Sequence, residues 1–330
     1  MPITCPIDTL LSADASEETV RQILLDLTPE KVDLPLFSTC VERFACTAAP
    51  GFTKLSAHRD STIDCCGTGG SGIKHFNTST ASAFVLAAAG MTVAKFGNRS
   101  ASGPSGSFDI LSSLGFAERV SPESAERILE KCDLIFLYAP QVYPALSRLA
   151  PIRKSLKVKT VLNFMGPLLN PVDPKFRLLG VSDSKMQGTI ANHLARTKTS
   201  AMVVRGECGL DEFCPACETK LMETSVDAAD NYVASNLYKG FDGSCPARQS
   251  AEDYSRADLN GKILVSIFDR EDIKSTAYKL VCLNAGAAMF VGGKAKSIED
   301  GRARAAEVIA SGAARKHLDK TRSAYEQYAC

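Results

Sequence analysis

The chain has 330 residues, 45% hydrophobic and 23% charged, and a formal net charge of +1. That is ordinary globular composition, long enough for one large domain or two unequal ones. Near-neutral charge supplies no long-range field to draw in nucleic acid or an acidic membrane, so an anionic substrate has to be held by local donors.

The opening residues lack a basic stretch followed by an apolar one, and no uncharged apolar run of membrane character reaches ~18 residues. The richest such run, Ala81 to Ala94, contains small residues with Ser and Thr and suits a buried helix and strand. A cytoplasmic protein is expected.

Residues 15–57 read as short helices. In SEETVRQILLDLTPE, Ser16 or Glu17 stands near a cap, and Val20, Ile23, Leu24 and Leu27 fall at helical spacing. LPLFSTCVERFAC repeats the pattern, and APGFTKLSAHRDS reads as a linker. This all-helical piece is too small to stand alone.

From Thr62 the texture changes. STIDCCGTGG predicts a strand ending in a glycine turn, and TSTASAFVLAAAG a helix capped by Ser79 or Thr80 and closed by Gly90. MTVAKFGN predicts a strand, RSASGPSGS a loop, SFDILSSLG a helix closed by Gly115, and CDLIFLYAP a buried strand. VKTVLNFMGPLLNP predicts a strand entering a Gly/Pro turn. FRLLGVSD, SAMVVRG and GKILVSIFD predict further strands, the first two separated by the helix SKMQGTIANHLART. Two closing helices are predicted, TAYKLVCLNAGAAMFVGG and SIEDGRARAAEVIASGAARKHLDKTRSAYEQ. Alternating strands and helices predict an α/β fold with a mostly parallel sheet.

Twelve cysteines are scattered along the chain. Without a secretory signal, reduced thiols are the default. Cys214 and Cys217 have C-x-x-C spacing, but tetrahedral zinc needs two more ligands. Cys208 and Cys245 are available, yet no second C-x-x-C or H-x-x-x-H exists, so ordinary thiols are expected.

GTGGSG satisfies G-x-G-x-x-G at Gly67, Gly69 and Gly72. A dinucleotide site also needs an acidic residue about 20 positions on, and residues 87–97 contain none. The predicted helix also starts later, near Ser79. What remains, beside a turn with no ligand, is a phosphate cradle. Glycines let backbone N–H groups approach an anion, and hydroxyls and a helix N-terminus add donors. Asn77, Ser79 and Thr80 stand where that helix begins, and Lys95 precedes a second loop.

GTGGSG with FNTSTA, AKFGNRS, YPAL, LAPIRK, NFMGPLLNP, GLDE and LNAGAAMFVGG fall in one order and spacing. From about Asp64 onward the chain resembles the anthranilate phosphoribosyltransferases; the N-terminal helices resemble them less. The resemblance implies a small all-helical N-terminal domain over residues 1–60, completed near 150–185, beside a large α/β domain over 61–330, a fold shared with pyrimidine nucleoside phosphorylases. It implies transfer of the phosphoribosyl group of phosphoribosyl pyrophosphate (PRPP) to the amine of anthranilate, the second dedicated step of tryptophan synthesis. It also implies Mg²⁺, two ions with substrate bound, and a homodimer, with no membrane or nucleic-acid partner.

Carried over residue by residue, it assigns Gly67, Thr68, Gly69, Gly70, Asn77, Ser79, Thr80, Lys95 and Ser107 to PRPP. Asp211 and Glu212, with Ser79, are assigned to the metal; without the resemblance an Asp–Glu pair reads as solvated. Gly67, Phe96, Asn98, Tyr143, Arg153 and Met165 are assigned to the acceptor, where a guanidinium suits a carboxylate. Four positions depart from the family pattern: Phe96 and Tyr143 replace histidines, Pro104 a lysine, and Ser71 an aspartate. The first two raise the alternative of a different aromatic acceptor. A nucleoside phosphorylase and a non-catalytic relative that binds nucleic acid are the remaining readings. His75, in the glycine-rich loop, reads as exposed or as a donor to a ligand.

Overall fold

The computed structural model describes residues 6–100, 105–224, 233–242, 245–248, 254 and 256–328. Pro104 therefore lies outside the described residues.

Three helices open the chain: α1 (Pro6–Leu11), α2 (Glu17–Asp26) and α3 (Leu34–Ala45). Ser16 caps α2 by accepting from the Thr19 amide, and Asp33 caps α3 by accepting from Leu36. The expected linker is instead a 3₁₀ helix over Phe52–Ser61, with Phe52 and Leu55 buried. The sheet begins with β1 (Thr62–Gly67). Then follow α4 (Thr78–Ala88), β2 (Thr92–Gly97), α5 (Ser107–Ser113), α6 (Pro122–Cys132), β3 (Leu134–Tyr138), α7 (Ala139–Val142), α8 (Ala145–Leu156) and α9 (Leu162–Met165). A 3₁₀ turn over Gly166–Leu169 leads to β4 (Phe176–Gly180), α10 (Ser184–Arg196), β5 (Ser200–Gly206), β6 (Thr219–Thr224) and β7 (Val233–Tyr238). Four helices close the described chain: α11 (Ala257–Phe268), α12 (Thr276–Val291), α13 (Ile298–Ala310) and α14 (Ala313–Tyr328).

The seven strands lie in the order β3-β2-β1-β4-β5-β6-β7. The first five are mutually parallel; β6 and β7 are antiparallel additions. The α/β expectation holds. After β1 the chain winds outward to β2 and β3, then returns to pair β4 against the other side of β1. In open α/β sheets, ligands bind outside the carboxyl ends of strands at such a reversal. Here the two strand ends are Gly67 and Gly180, which pair directly.

α4 is apolar nearly all round, as a helix enclosed by the fold must be. It lies against β1 and β2 on one side and α12 and α14 on the other. Its Phe84 ring meets Phe116, Phe136 and Phe268 at centroid distances of 5.8, 5.2 and 6.1 Å. A side chain buried this fully contributes about 2 kcal/mol from area alone. α12 and α13 touch through glycine: a Cβ on Gly301 would lie 2.2 Å from the Gly286 carbonyl oxygen.

Several expectations fail at the element level. GKILVSIFD is helical, within α11. Leu264, Ile267 and Phe268 are its buried face, and a short apolar run fits either period. Residues 158–164 form no strand; the Asn163 carboxamide accepts from the Thr160 amide at 2.9 Å and turns the chain into α9. The last predicted helix is two, α13 and α14, broken at Gly312 with φ +76°.

Candidate active site

Gly67 and Gly180 end neighbouring strands, and the main chain of Asp211 crosses between them. A Cβ on Gly180 would lie 1.6 Å from the Asp211 carbonyl oxygen, and one on Gly67 would lie 2.6 Å from its Oδ2. Only glycine leaves room for that crossing. The turn after β1 then folds back: Gly69, Gly70 and Gly72 have φ of 67°, 71° and 75°, a region costly to other residues. The Gly69 amide donates to Asp211 Oδ2 at 2.7 Å, and the Thr68 amide to the Gly180 carbonyl at 2.9 Å. Ser182 completes the clasp: its hydroxyl donates to the Gly69 carbonyl at 2.8 Å, and its amide donates to Thr68 Oγ1 at 3.2 Å. Lys159 Nζ donates to Ser182 Oγ at 3.3 Å, which sets a cation beside Gly70.

α4 starts on the opposite wall. Its cap is Asn77 rather than Ser79 or Thr80, both of which lie in the first turn. Asn77 Oδ1 is engaged by the Thr80 hydroxyl at 2.5 Å, so no side chain caps the first-turn amides. The Asn77 amide donates to Asn260 Oδ1 at 3.3 Å, which ties this corner to α11.

Ser79, Asp211 and Glu212 line one small cavity with Cys65, Cys66, Gly180 and Asn284. Asp211 is 5% exposed. Glu212 Oε2 is buried and lacks a hydrogen-bond partner. Burial pushes the Glu212 carboxyl up to about 7, against the opposing pull of His75. His75 stands between the acids, Nε2 3.9 Å from Asp211 Oδ1 and Nδ1 3.7 Å from Glu212 Oε2. It is half-buried rather than exposed. Asn284 of α12 holds the next residue by both backbone groups, accepting from the Phe213 amide at 3.0 Å and donating to its carbonyl at 3.2 Å. Two carboxylates with an orphaned lone pair, and a hydroxyl, suit a hard cation. Burial pushes the Cys65 thiol up to about 12, so at neutral pH it stays protonated and does not compete as a ligand.

Lys95 lies beneath this cluster. It is 2% exposed, and its Nζ donates to the Cys65 carbonyl at 2.8 Å. It shares the interior with Asp64, whose carboxyl burial pushes up and which accepts from Asn170 at 2.9 Å. The same Asn170 amide donates to the Ala94 carbonyl at 2.7 Å, which moors the GPLLNP turn to the sheet.

The second loop follows β2. Asp109 draws it together, accepting from the Ser100 and Gly106 amides at 2.9 and 2.8 Å and pairing with Arg99 at 3.0 Å. Asn98 accepts from the Arg99 amide at 2.7 Å. Ser107, first residue of α5, packs against Gly97, where an added Cβ would meet it at 3.2 Å.

The acceptor residues do not converge as the acid cluster does. Phe96 and Tyr143 are buried and meet edge to face at 6.0 Å, and Tyr143 also meets Phe44 at 5.7 Å. The two departures from histidine thus form one aromatic contact between β2, the α7–α8 junction and α3. Met165 is buried at the end of α9. Arg153 of α8 donates to the Leu162 carbonyl at 3.5 Å, and its Nε is buried without a partner. Among the described residues no carboxylate pairs with it.

Sequence reasoning overlooked Ser182, Lys159 and Asn284. Ser182 and Lys159 belong to no motif, and Asn284 lies in LNAGAAMFVGG, which does not show its partner; each acts by its position at a strand end, a helix flank or a helix interior. Cys208, Cys214, Cys217 and Cys245, which read in the sequence as ordinary thiols, form one group, their sulfurs within 4.8 Å of one another.

Residues 59–315 match the family described as "Glycosyl transferase family, a/b domain". The chain is 33% identical to the anthranilate phosphoribosyltransferase of Syntrophomonas wolfei over 320 residues, covering 94% of this chain and 92% of that one. It is 36% identical to that of Polynucleobacter asymbioticus over 314 residues, covering 94% and 89%. The crystal structure of anthranilate phosphoribosyltransferase from Thermus thermophilus superposes with a TM-score of 0.71 at 28% identity, covering 98% of this chain and all of that one. The Saccharomyces cerevisiae enzyme in complex with PRPP and Mg shares the fold at a TM-score of 0.79 and 20% identity, covering 98% and 91%.

Proposed function

This chain belongs to the anthranilate phosphoribosyltransferase family, and from that premise we propose that it transfers the phosphoribosyl group of PRPP to the amine of anthranilate, releasing pyrophosphate. The single observation that carries the assignment of roles is the clasp of Gly67–Gly70 on Asp211, with Ser79 and the orphaned Glu212 oxygen facing the same cavity.

The chemistry asks for three things: neutralisation of the departing diphosphate, tolerance of positive charge at the sugar's reacting carbon, and an amine held in line. Positioning and electrostatics supply most of such a rate. Gly67, Thr68, Gly69 and Gly70 offer a bare main chain, and the uncapped first turn of α4 offers amides and the Ser79 hydroxyl, with Thr80 fixing the Asn77 carboxamide through its Oδ1. Ser107 bounds the phosphates from the second loop, and Lys159 adds a cation at Gly70. Lys95 acts from below, through the potential it sets on Glu212. Asp211, Glu212 and Ser79 hold Mg²⁺, which when bound offsets the negative charge of the diphosphate.

On the acceptor side, the unpaired guanidinium of Arg153 takes the carboxylate of anthranilate. The family resemblance assigns Asn98, Met165, Phe96 and Tyr143 to the same acceptor. The aromatic amine is a weak base, so its attack needs no histidine. A small helical domain over residues 1–60 and part of 150–185 is supported by the packing of α2 on α8 and of α3 on the Gly166–Leu169 turn. The family resemblance supports a homodimer and a cytoplasmic address.

The test is loss of anthranilate fluorescence in the presence of PRPP and Mg²⁺. Wild-type protein consumes anthranilate. The double variant Asp211→Asn, Glu212→Gln stays folded and loses Mg²⁺-dependent turnover by at least about 100-fold. No consumption by folded wild-type protein removes the acceptor; a near-normal rate in the variant removes the metal assignment.

A further inference from the structure

The loop between β5 and β6 carries Asp211 and Glu212, and three cysteines bracket them. Cys208 stands before the acids, Cys214 and Cys217 after; Cys245 arrives from the segment following β7. Every pair of these sulfurs lies within 4.8 Å, with Cys217 to Cys245 at 3.4 Å and Cys214 to Cys245 at 4.0 Å. Four thiolates around zinc at a Zn–S distance of ~2.3 Å form a tetrahedron with edges of ~3.8 Å. The four sulfurs already stand at that scale. They are far from the ~2.05 Å of a disulfide, and too close together for the corners of a four-iron cluster.

The turn beneath them is constructed for close approach. The Pro215 carbonyl, inside Cys214–Cys217, accepts from the amides of Phe241 and Asp242, each at 2.8 Å. Gly240 lies directly against that turn: a Cβ there would meet the Ala216 carbonyl carbon at 2.6 Å and the Cys217 nitrogen at 2.9 Å. Thr219 Oγ1 accepts from the Cys214 amide at 3.2 Å, and the Glu207 amide closes the loop on the Glu218 carbonyl at 2.8 Å. Leu210, Leu280 and Ile73 pack around the sulfurs. An apolar surround excludes water and favours a closed structural site over a catalytic one.

We propose that Cys208, Cys214, Cys217 and Cys245 bind one structural zinc ion, and that this ion clamps both ends of the segment carrying Asp211 and Glu212. On binding, each thiol proton passes to solvent. Four neutral thiols have no strong mutual attraction to hold them in one cluster, whereas a shared dication does. The metal site itself is independent of the function proposed above. Only its effect on the acid pair rests on that reading.

The full chain, purified under reducing conditions, is assayed for bound metals by elemental analysis. About one zinc per chain is expected. Cobalt(II) substituted for it shows thiolate-to-metal charge transfer and the visible bands of a tetrahedral site. The variant Cys217→Ser, Cys245→Ser loses at least about tenfold in bound zinc. Magnesium-dependent turnover, followed separately in chelator-treated wild-type protein, falls and returns on adding zinc. The proposal is overturned by wild-type protein that neither carries nor takes up zinc, by iron at the same ratio, by a Cys217–Cys245 disulfide in freshly purified reduced protein, or by zinc unaffected by the double substitution. Should that variant not fold, the wild-type metal content and the cobalt spectrum decide alone.

Discussion

A methyl group added to Gly180 would overlap the Asp211 carbonyl oxygen, at 1.6 Å. The collision is with backbone, so no rotamer relieves it; the acid loop has to move. Overpacking of this kind costs about 1–3 kcal/mol of stability. The larger effect is on geometry: Gly180→Ala is expected to lower kcat/KM by about 100-fold, with circular dichroism unchanged. Wild-type kinetics in that variant would show that Asp211 need not cross the strand ends. At this scale the glycine motif was readable, because glycine takes positive φ at no steric cost and leaves room for such contact. The role of Gly180 was not: a lone glycine at the end of a strand carries no local signal, and its partner is 31 positions on. His75 was ambiguous for the same reason. A loop histidine is exposed or enclosed according to what the chain brings back over it, and here that is Asp211 and Glu212.

Between elements, the junction of α3 with α10 carries a titratable group. His193 is 4% exposed; its Nδ1 lies 3.0 Å from Ser38 Oγ, and its ring meets Phe37 edge to face at 5.8 Å. Burial, with the neighbouring cations Arg177 and Arg196, pulls it down to about 4 from 6.5, opposed by Asp173. The folded form therefore resists a proton that the unfolded chain accepts. Stability is full above pH ~6.5 and is lost as pH falls toward ~4, by on the order of 3 kcal/mol. Urea titrations of wild type and His193→Gln across that range check it: the variant is expected to show a flatter dependence, and parallel curves would exclude His193. Elements with one dominant period were legible, among them α2, α3 and α10. α11 was misassigned because Ile263, Leu264 and Val265 form a short apolar run, with Ile267 and Phe268 just beyond Ser266, and only the buried face settles its period. The β6–β7 ribbon was missed because β6 mixes polar and apolar residues and β7 is largely exposed, so neither carries the continuous apolar run of a buried strand.

Across the whole molecule, strand alternation made the α/β class legible, and the order of strands then places the site. β1 and β4 end side by side at Gly67 and Gly180, and the glycine turn, the α4 start and the acid loop meet there. A ligand spanning three separate segments stabilises all of them together. At a concentration 100 times its dissociation constant it adds about 2.7 kcal/mol. Differential scanning fluorimetry is expected to show a larger rise in melting temperature with PRPP and Mg²⁺ together than with either alone. Equal shifts with PRPP in EDTA would separate the metal from binding. What sequence could not show was convergence: the four cysteines come from three places in the chain, and only folding brings their sulfurs together.

The backbone contact of Gly286 with Gly301 sets how deeply α12 rides over the sheet, and α12 carries Asn284, whose carboxamide grips Phe213. The altitude of the Asp211–Phe213 segment is thus inherited from an outer layer of the protein. Drift at Gly301 would surface as a kinetic defect with no ligand nearby to explain it, and a survey ranking positions by nearness to substrate would pass over the cause.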